Sequence, residues 1–587
     1  MSWDFDAFSR DLDFLGRIFN SRLNRLSGEG GFGALIRYLD RDRAVRYASE
    51  YFGDGDWVAL GIDGSMEHRE RLEVLILYVA VASYRCKFTV SERNVEVDLS
   101  SVERDSRYTS SAIIPLWLDD INEFLGSSEL GVARSLDTII GNMPFSIMTF
   151  GEYYMGLRAA TDDEVKIIFF DRPFASSIGP YGRDLRRLIY VDDGGVLTRL
   201  HTPRLTKGDL YLGLYHGVEN YMIRPEKPYL IHYITQQLIR GGGEAYINEL
   251  VRDIKVDREK IIKRVRRLNN LLDGTLIEEI TPTKIILNRD RLSYWERIKK
   301  LIQLVGRKLF GEDRGEHPLY LGDGRWIGAR ELNAVTLYTI YEAINQMHRN
   351  KKLFVGVGKD TYVTDLSRAL IHITNHLGIT KIEDPPIKSD KPLLTTLSTT
   401  DQETFKTPWR LITYDGVVAT LAKSEKPGAP TRPARRRLTQ NRLIARSYFQ
   451  LRTLRGINNI NVKSPVFFYD RFLTPEDMDK TVEIPVAIND KKIDLEIYLE
   501  TGLNEMDNLI LYILSRMDKP EIAEATGHNY LLFLGDKDVK ANIKLVRDAV
   551  INAVDTKIAQ IIRDRNIYVV TRRFREYRHI VERRRSR

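Results

Sequence analysis

The sequence predicts an α/β protein in which helices flank a mixed β-sheet. Two apolar runs with strand character carry this prediction. The first, Trp57 to Ile62, leads into Asp63 and a Gly-Ser pair, and the second, Val165 to Phe170, leads into Asp171. Segments with helical periodicity lie before, between and after the two runs. This alternation of strands and helices is typical of a sheet that is covered by helices.

Length and composition limit the classes of protein to which the chain can belong. At 587 residues the chain is too long for a single core, and its length predicts roughly three or four folding units. The net charge of +8 and the pI near 9.1 favour a polyanionic partner. The single cysteine, Cys86, excludes internal disulfides and zinc sites built from several thiolates. Any bound metal would therefore be held by carboxylates or histidines.

Neither a membrane-spanning segment nor a secretion signal is predicted. No uninterrupted apolar run is long enough to cross a bilayer, and the N-terminal stretch is acidic and amphipathic. We therefore expect a cytoplasmic protein without a membrane partner.

The first part of the predicted sheet starts from the strand that leads to Asp63. Residues 1–55 form a helical segment in this interpretation, with two helices before the strand. Gly64 and Ser65 are expected to break the strand directly after the carboxylate. The almost wholly apolar run 72–82 then suits a central strand packed on both faces.

The next elements place a second and a third acidic side chain. Residues 87–90 and 95–98 are predicted to pair as antiparallel strands, and 130–160 returns to helical periodicity and contains Glu152. The strand that leads to Asp171 follows and is stopped by a proline. This order, strand with Asp, antiparallel strands, helix with Glu, strand with Asp, is the order in which RNase H-like folds assemble a two-metal site.

An inserted α+β unit is predicted after the first part of the sheet. Residues 228–240, 245–255 and 257–272 read as three helices, and a hairpin follows at 275–287, which together is the outline of a winged helix-turn-helix. The third helix is strongly basic, and six of its residues are the predicted DNA contacts: Arg258, Lys260, Lys263, Arg264, Arg266 and Arg267. A solvated helix face, or a protein-binding winged helix, is the alternative interpretation.

The rest of the chain returns to the sheet. The predicted elements are a helix at 332–347, a strand at 353–359, strands at 464–469 and 482–488, a strand-like run at 529–536 that ends in Asp536, and a helix at 539–555. Residues 422–437 are predicted to be an exposed basic loop. The predicted domains are the helical segment 1–55, the core segment 56–195, the insertion 196–345 with its winged-helix-like unit at about 228–288, the core segment 346–570 and the tail 571–587. The tail is rich in arginine and would be a phosphate-binding arm or a disordered end.

Two local motifs have competing interpretations. Lys359 lies in a Gly-Val-Gly-Lys stretch. A P-loop needs a second glycine five residues before Gly358, but that position is occupied by Leu353, so a nucleotide-binding P-loop is excluded. Lys359 is instead interpreted as an active-site or backbone-phosphate lysine, with a structural lysine as the alternative. Asp192 and Asp193 rival Asp171 as acidic candidates, but they are predicted to lie in a hairpin turn.

Together these motifs resemble one enzyme family. The residues that match are Ile62-Asp63-Gly64-Ser65, Gly151-Glu152-Tyr153, Phe170-Asp171-Arg172-Pro173-Phe174, Gly356-Val357-Gly358-Lys359, and the stretch from Gly527 to Asp536. In this order they resemble the archaeal and bacterial NurA nucleases, which have an RNase H-like core and work with the hexameric translocase HerA. The chain differs from the family in its inserted segment and in an aspartate, Asp536, at a position that is often histidine.

The resemblance implies a metal-dependent DNA nuclease. Asp63 would bridge two Mn²⁺ or Mg²⁺ ions, and the remaining protein ligands would be Glu152, Asp171 and Asp536. Lys359 would also take part in catalysis. His528 is an alternative to Asp536 as the last ligand. The implied activity is 5′-to-3′ exonuclease cleavage, with single-strand endonuclease cleavage as a further expectation, in DNA double-strand-break end resection.

The implied assembly is a homodimer on a HerA-type helicase-translocase, with the helices before residue 50 as candidate contacts. The substrates would be single-stranded DNA and duplex ends. A different class of function stays open at this point: a non-catalytic DNA-binding or scaffolding subunit, in which the basic insertion and tail bind DNA and the sheet is a relic.

Overall fold

A computed structural model describes most of the chain. The described residues are 31–71, 74–117, 132–218, 230–311, 317–322, 325–359, 363–383, 385–416, 422–423, 432–433, 443–455, 461–477, 480–488 and 491–563, together with Phe14 and Arg17. Most of the first predicted helix, most of the 422–437 loop and the whole 571–587 tail lie outside these residues.

The strands and helices alternate along the chain. The strands are β1 (Ile36–Tyr38), β2 (Gly55–Arg71), β3 (Val74–Ser91), β4 (Asn94–Arg104), β5 (Ser110–Trp117), β6 (Val165–Phe170), β7 (Glu244–Tyr246), β8 (Ile277–Ile280), β9 (Lys284–Leu287), β10 (Tyr320–Gly322), β11 (Arg325–Trp326), β12 (Leu353–Gly358), β13 (Trp409–Leu411), β14 (Tyr414–Asp415), β15 (Ala422–Lys423), β16 (Arg432–Pro433), β17 (Ile444–Gln450), β18 (Thr453–Arg455), β19 (Asn461–Lys463), β20 (Phe467–Phe472), β21 (Thr481–Ile488) and β22 (Lys491–Tyr498). The helices are α1 (Arg41–Phe52), α2 (Val132–Ala160), α3 (Ala175–Tyr190), α4 (Lys207–His216), α5 (Leu230–Arg240), α6 (Ile247–Ile254), α7 (Arg258–Leu271), α8 (Tyr294–Phe310), α9 (Ala329–Arg349), α10 (Ile371–His376), α11 (Asp390–Thr400), α12 (Glu505–Arg516) and α13 (Tyr530–Arg563).

Among the described residues, eleven strands form one large mixed sheet. Its order is β4-β3-β2-β6-β12-β20-β17-β13-β1, with β5 beside β3 and β14 beside β17. The three central strands β2, β6 and β12 run parallel, and the other pairs are antiparallel. The prediction of a mixed sheet flanked by helices is confirmed. Because β2, β6 and β12 are parallel, side chains that follow β6 and β12 meet the middle of β2 at one edge of this parallel core.

Strand β2 does not end at Asp63, contrary to the prediction. It continues to Arg71, and Gly64 and Ser65 pair with residues of β3. What ends beside Asp63 is the parallel pairing with β6, whose last residue pairs with Ile62. The long antiparallel partner β3 holds the chain extended where a Gly-Ser pair by itself favours a turn. β3 is also one continuous strand, where two were predicted.

Two helices cover the two faces of β2. Leu60 and Ile62 belong to the core that contains α2, whereas Ala59 packs with Leu531 and Leu532 of α13. Successive residues of a strand face opposite sides of the sheet. Asp63 therefore faces α13, and its neighbour Gly64 faces α2, which agrees with the closeness of Gly64 to the side chains of α2.

The run 529–536 is helical, not strand-like as predicted. Helix α13 begins at Tyr530, and the side chain of Asn529 accepts hydrogen bonds from the backbone N–H groups of Leu531 (3.0 Å) and Leu532 (3.2 Å). An Asn in this position satisfies donors that a helix start leaves open, and so it favours the helix. Asp536 consequently lies within the second turn of α13.

Three further predictions of local structure are corrected. Residues 36–38 form β1, which pairs with β13, where a helix was predicted. Asp192 and Asp193 follow helix α3 and do not lie in a hairpin turn. Strand β21 pairs with β22 in a separate ribbon and does not join the large sheet. The partner of β1 is distant in sequence, whereas β21 pairs with the strand that directly follows it.

The segment 196–345, which was predicted to be an insertion, contains the three predicted helices and the predicted hairpin. Helices α5, α6 and α7 are followed by β8 and β9, and the short strand β7 completes a three-stranded antiparallel sheet of order β7-β9-β8. The second helix begins two residues later than predicted because 244–246 pairs with β9. Asp257 precedes α7, but its side chain makes no capping hydrogen bond.

Within the part of the chain that the structure describes, none of the helices combines the length and the apolar character needed to cross a membrane.

Candidate metal centre

Three aspartates from distant parts of the sequence meet at the edge of the parallel core. Asp63 lies in β2, Asp171 directly follows β6, and Asp536 lies in α13. Each contributes a carboxylate oxygen, and these oxygens lie within 4.8 Å of one another. The backbone N–H of Asp171 donates to the carbonyl oxygen of Ile62 (3.2 Å), which fixes the end of β6 beside Asp63. We call these three residues the acidic edge.

The carboxylates of the acidic edge are poorly compensated. Asp63 is only 5% exposed, and burial together with repulsion from Asp171 and Glu152 raises its pKa well above the ordinary value. Burial likewise raises the pKa of Asp171, although the neighbouring Lys359 opposes the shift. Asp536 is paired with the exposed Lys540 of the next helical turn at 2.7 Å. Negative charge therefore accumulates in a largely buried place.

The arrangement of these oxygens fits a hard divalent cation. Asp63 Oδ1 accepts a hydrogen bond from the backbone N–H of Gly64 (2.8 Å), but no N–H or O–H group of the described residues donates to the buried Asp63 Oδ2. A buried carboxylate oxygen without a donor is costly unless a cation binds it. Several carboxylate oxygens without thiolates are the donor set that Mg²⁺ and Mn²⁺ prefer.

Lys359 lies beside the acidic edge, as the first residue after β12. Its ammonium group forms an ion pair with Asp171 and is about one third exposed. Burial lowers the stability of the charged form, but Asp171, Asp63 and Asp536 outweigh burial and raise the pKa of Lys359. The lysine therefore stays protonated and offsets part of the negative charge.

Glu152, a predicted metal ligand, is not part of this group of oxygens. Its carboxylate is buried and forms an ion pair with Arg172, whose Nη2 donates to Glu152 Oε1 at 3.0 Å. Burial raises the pKa of Glu152 to about 7, although Arg172 opposes the shift. Glu152 approaches the acidic edge from the α2 side of β2, over Gly64, where a side chain in place of the glycine hydrogen would collide with its carboxylate.

His528, the alternative to Asp536, is not in the group of close ligand atoms that the acidic edge forms. It is buried, and its ring packs edge-on against Phe467 with a centroid distance of 5.2 Å. Burial, together with the nearby Lys359, lowers the pKa of His528 to about 3, so the imidazole is neutral at physiological pH. Of the two candidates, Asp536 is the one whose oxygen lies with Asp63 and Asp171.

The predicted DNA contacts line one face of α7. Arg258, Lys260, Lys263, Arg266 and Arg267 are exposed, and Arg264 is half-buried. The buried side of the helix is apolar, with Ile261, Val265 and Leu268 in the core. Next to the basic face is a shallow depression of about 840 Å³, whose lining includes Lys263, Arg266 and Arg267.

Pattern analysis of the sequence missed two residues that shape the centre. Arg172 was noted only as part of a strand-end motif, yet its buried guanidinium determines where Glu152 lies. Gly64 was interpreted as a strand breaker, yet it is the open position over which Glu152 packs. The only sequence signal for either was their position next to Asp171 and Asp63.

Comparisons with known proteins were made for the whole chain. No protein-family model matches it, and no curated protein matches it. Among solved structures, it is similar to the NurA nuclease from Sulfolobus solfataricus, with a TM-score of 0.36, 11% identity, and coverage of 96% of this chain and 99% of that chain. NurA with manganese gives a TM-score of 0.32 at 12% identity, covering 93% and 98%, and NurA bound to dAMP and manganese gives 0.26 at 11%, covering 81% and 88%.

Proposed function

We propose that the protein is a divalent-metal-dependent nuclease that hydrolyses DNA phosphodiester bonds. The observation that carries the proposal is the convergence of Asp63, Asp171 and Asp536 at one edge of the sheet, with a buried, donor-free oxygen on Asp63. Three carboxylates that repel one another are stabilised by a bound cation. Nucleases of this kind use such a cation against the negative charge of the phosphate.

Each residue of the centre has a distinct task in this proposal. Asp63, Asp171 and Asp536 would hold Mn²⁺ or Mg²⁺, which supplies a more acidic water and neutralises charge on the phosphate. Lys359 pairs with Asp171 and fixes its orientation, and its ammonium group places a positive charge beside the site for a phosphate oxygen. Without a cation, the acidic edge would repel DNA.

The basic face of α7 supports DNA as the substrate. Five exposed cationic side chains on one helix provide a surface for the phosphate backbone, and the helix–strand–helix–helix–hairpin order of this segment supports a winged-helix-like unit. We propose that this unit holds the duplex while the acidic edge cleaves a strand. Removing single cationic residues of α7 should then weaken binding to all DNA sequences alike.

The finer parts of the proposal rest on the motif resemblance. For the structure, these parts are an RNase H-like core and a division of the chain into domains at about residues 56, 196 and 346. For the activity, they are cleavage in the 5′-to-3′ direction, additional cutting of single strands, and a role in end resection. For the assembly, they are a homodimer that works with a HerA-type translocase. The sequence order of the Asp63 strand, the Glu152 helix and the Asp171 strand supports the first of them.

The proposal is tested with Asp63→Ala in a Mn²⁺-dependent cleavage assay on end-labelled DNA. We expect loss of cleavage with unchanged DNA affinity, because the acidic edge and the basic face of α7 are different surfaces. The product ladder of the unmutated protein also reports the direction of cleavage. A trace activity that is the same in the variant and the unmutated protein would contradict the proposal and favour a non-catalytic DNA-binding subunit.

A further inference from the structure

The carboxylate of Glu152 forms an ion pair with a single buried side chain, that of Arg172. Arg172 donates through Nη2 to Oε1 at 3.0 Å, and its Nε pairs with Oε2. Both partners are buried, Glu152 at 2% and Arg172 at 9% exposure. A two-point pair between a guanidinium and a carboxylate is among the most strongly oriented ionic contacts in proteins.

Arg172 is itself held in place by the same helix. Its Nη1 donates to Thr149 Oγ1 at 2.5 Å, and its guanidinium lies 5.3 Å from the ring centroid of Phe145. Phe145, Thr149 and Glu152 follow one another at helical spacing on one face of α2. If Glu152 moved to a cation, it would leave the guanidinium buried without a counter-charge, which strongly opposes the movement.

Glu152 is nevertheless within reach of the acidic edge. Gly64 has no side chain to separate the Glu152 carboxylate from the strand that carries Asp63. Arg172 directly follows Asp171 in the chain, so the guanidinium arises at the edge of the site itself. Glu152 and Asp63 approach β2 from its two faces, and the pairing with Arg172 holds the carboxylate of Glu152 on the α2 side.

We propose that Arg172 withholds Glu152 from the metal centre, so that Asp63, Asp171 and Asp536 bind one divalent cation per chain. This inference rests on the proposed function, and it replaces the second ion that the sequence led us to expect. The guanidinium is a permanent positive charge in the place where a fourth carboxylate would otherwise help to hold another ion. Arg172 is thus a positioning residue that sets the number of ions.

The experiment is a titration of the full-length, metal-free protein with Mn²⁺ by isothermal calorimetry, checked by electron paramagnetic resonance of free Mn²⁺. One ion bound per chain supports the inference. Two ions per chain would overturn it while the proposed metal-dependent function stands. No bound ion would overturn both the inference and the metal centre on which it rests.

Two variants test the role of Arg172. Arg172→Ala releases Glu152, and we expect a second Mn²⁺ to bind, with magnetic coupling between two nearby ions; one ion in this variant would overturn the role of Arg172. The double variant Arg172→Gln/Glu152→Gln removes both charges of the pair. It replaces Arg172→Ala in the test if Arg172→Ala does not fold. It should bind one ion within about threefold of the unmutated affinity, whereas a loss of tenfold or more would show that Glu152 is a ligand and overturn the inference.

Discussion

Two buried clusters of charge lie along the same protein core, and they differ in how their carboxylates are satisfied. At the acidic edge, Asp63 keeps an oxygen without a donor. In the second cluster, which we call the Arg471 network, one guanidinium lies between Asp477 and Asp507 and donates to both carboxylates over 2.6–3.1 Å. Further donors to these two aspartates come from Tyr469, Thr474 and Asn504.

The pKa shifts of the two clusters run in opposite directions despite similar burial. Burial opposes ionisation in both places, but Arg471 outweighs it and lowers the pKa of Asp477 and Asp507. At the acidic edge, burial and mutual repulsion prevail and raise the pKa of Asp63 and Asp171. Burial alone therefore does not distinguish the two clusters; the balance between carboxylates and hydrogen-bond donors does.

The largest expected effect on stability comes from disrupting the Arg471 network. Arg471→Ala leaves two buried carboxylates without their main donor, and we expect the free energy of unfolding to fall by about 3–5 kcal/mol. Chemical denaturation measures this change. Lys540→Ala, which breaks the exposed pair with Asp536, is the control and should cost less than about 1 kcal/mol. Equal losses in the two variants would remove the distinction between the clusters.

Substitution at the acidic edge should affect chemistry more than stability. For Asp536→Asn we expect Mn²⁺-dependent cleavage to fall by about 100-fold or more, because a metal ligand is lost. Asp538→Asn is the matched control on the same helix, since Asp538 pairs with Arg104 and not with the acidic edge. Initial rates of cleavage are the measurement, and similar rates in the two variants would exclude Asp536 as a ligand.

Binding of a cation should stabilise the protein through the acidic edge only. At a Mn²⁺ concentration tenfold above its dissociation constant, we expect the unfolding free energy to rise by about 1.4 kcal/mol. The rise should disappear in Asp536→Asn and persist in Asp538→Asn. Thermal unfolding with and without Mn²⁺ measures it, and a stabilisation that survives in Asp536→Asn would place the ion elsewhere.

The smallest effect concerns the metal-free protein and its pH dependence. Because the pKa of Asp63 is raised in the folded state, the folded protein keeps this proton as pH rises, while the unfolded chain loses it near pH ~4. The wild-type side chain therefore destabilises the metal-free fold increasingly toward neutral pH. Asp63→Asn should be more stable by about 1 kcal/mol at pH ~7, with little difference below pH ~4. A difference that does not change with pH would contradict the unfavourable burial of this carboxylate.

Much of the central fold could be predicted from local sequence. β6 and β12 were placed within one residue because each is a short apolar run bounded by breaking residues. The length of β2 could not be predicted, since Gly64 and Ser65 favour a turn and only the distant partner β3 keeps them extended. The start of α13 was missed because a short apolar run fits a strand and a helix equally well.

The site was predictable only in part. Asp63 and Asp171 are predicted because each follows an apolar run, and the structure brings both together with Asp536, although the element predicted for Asp536 was wrong. The pairing of Glu152 with Arg172 could not be predicted, because no sequence pattern shows that an arginine will be buried against a particular helix. Which carboxylates remain free to bind a cation thus depends on tertiary contacts.

The acidic edge joins β2, early in the chain, to α13, which is made long after β2. During synthesis on the ribosome, Asp63 and Asp171 emerge well before Asp536 can reach them. A growing chain therefore lacks one of the three carboxylates of the acidic edge for most of its translation. The order of the segments therefore makes the acidic edge one of the last features of the fold to be completed.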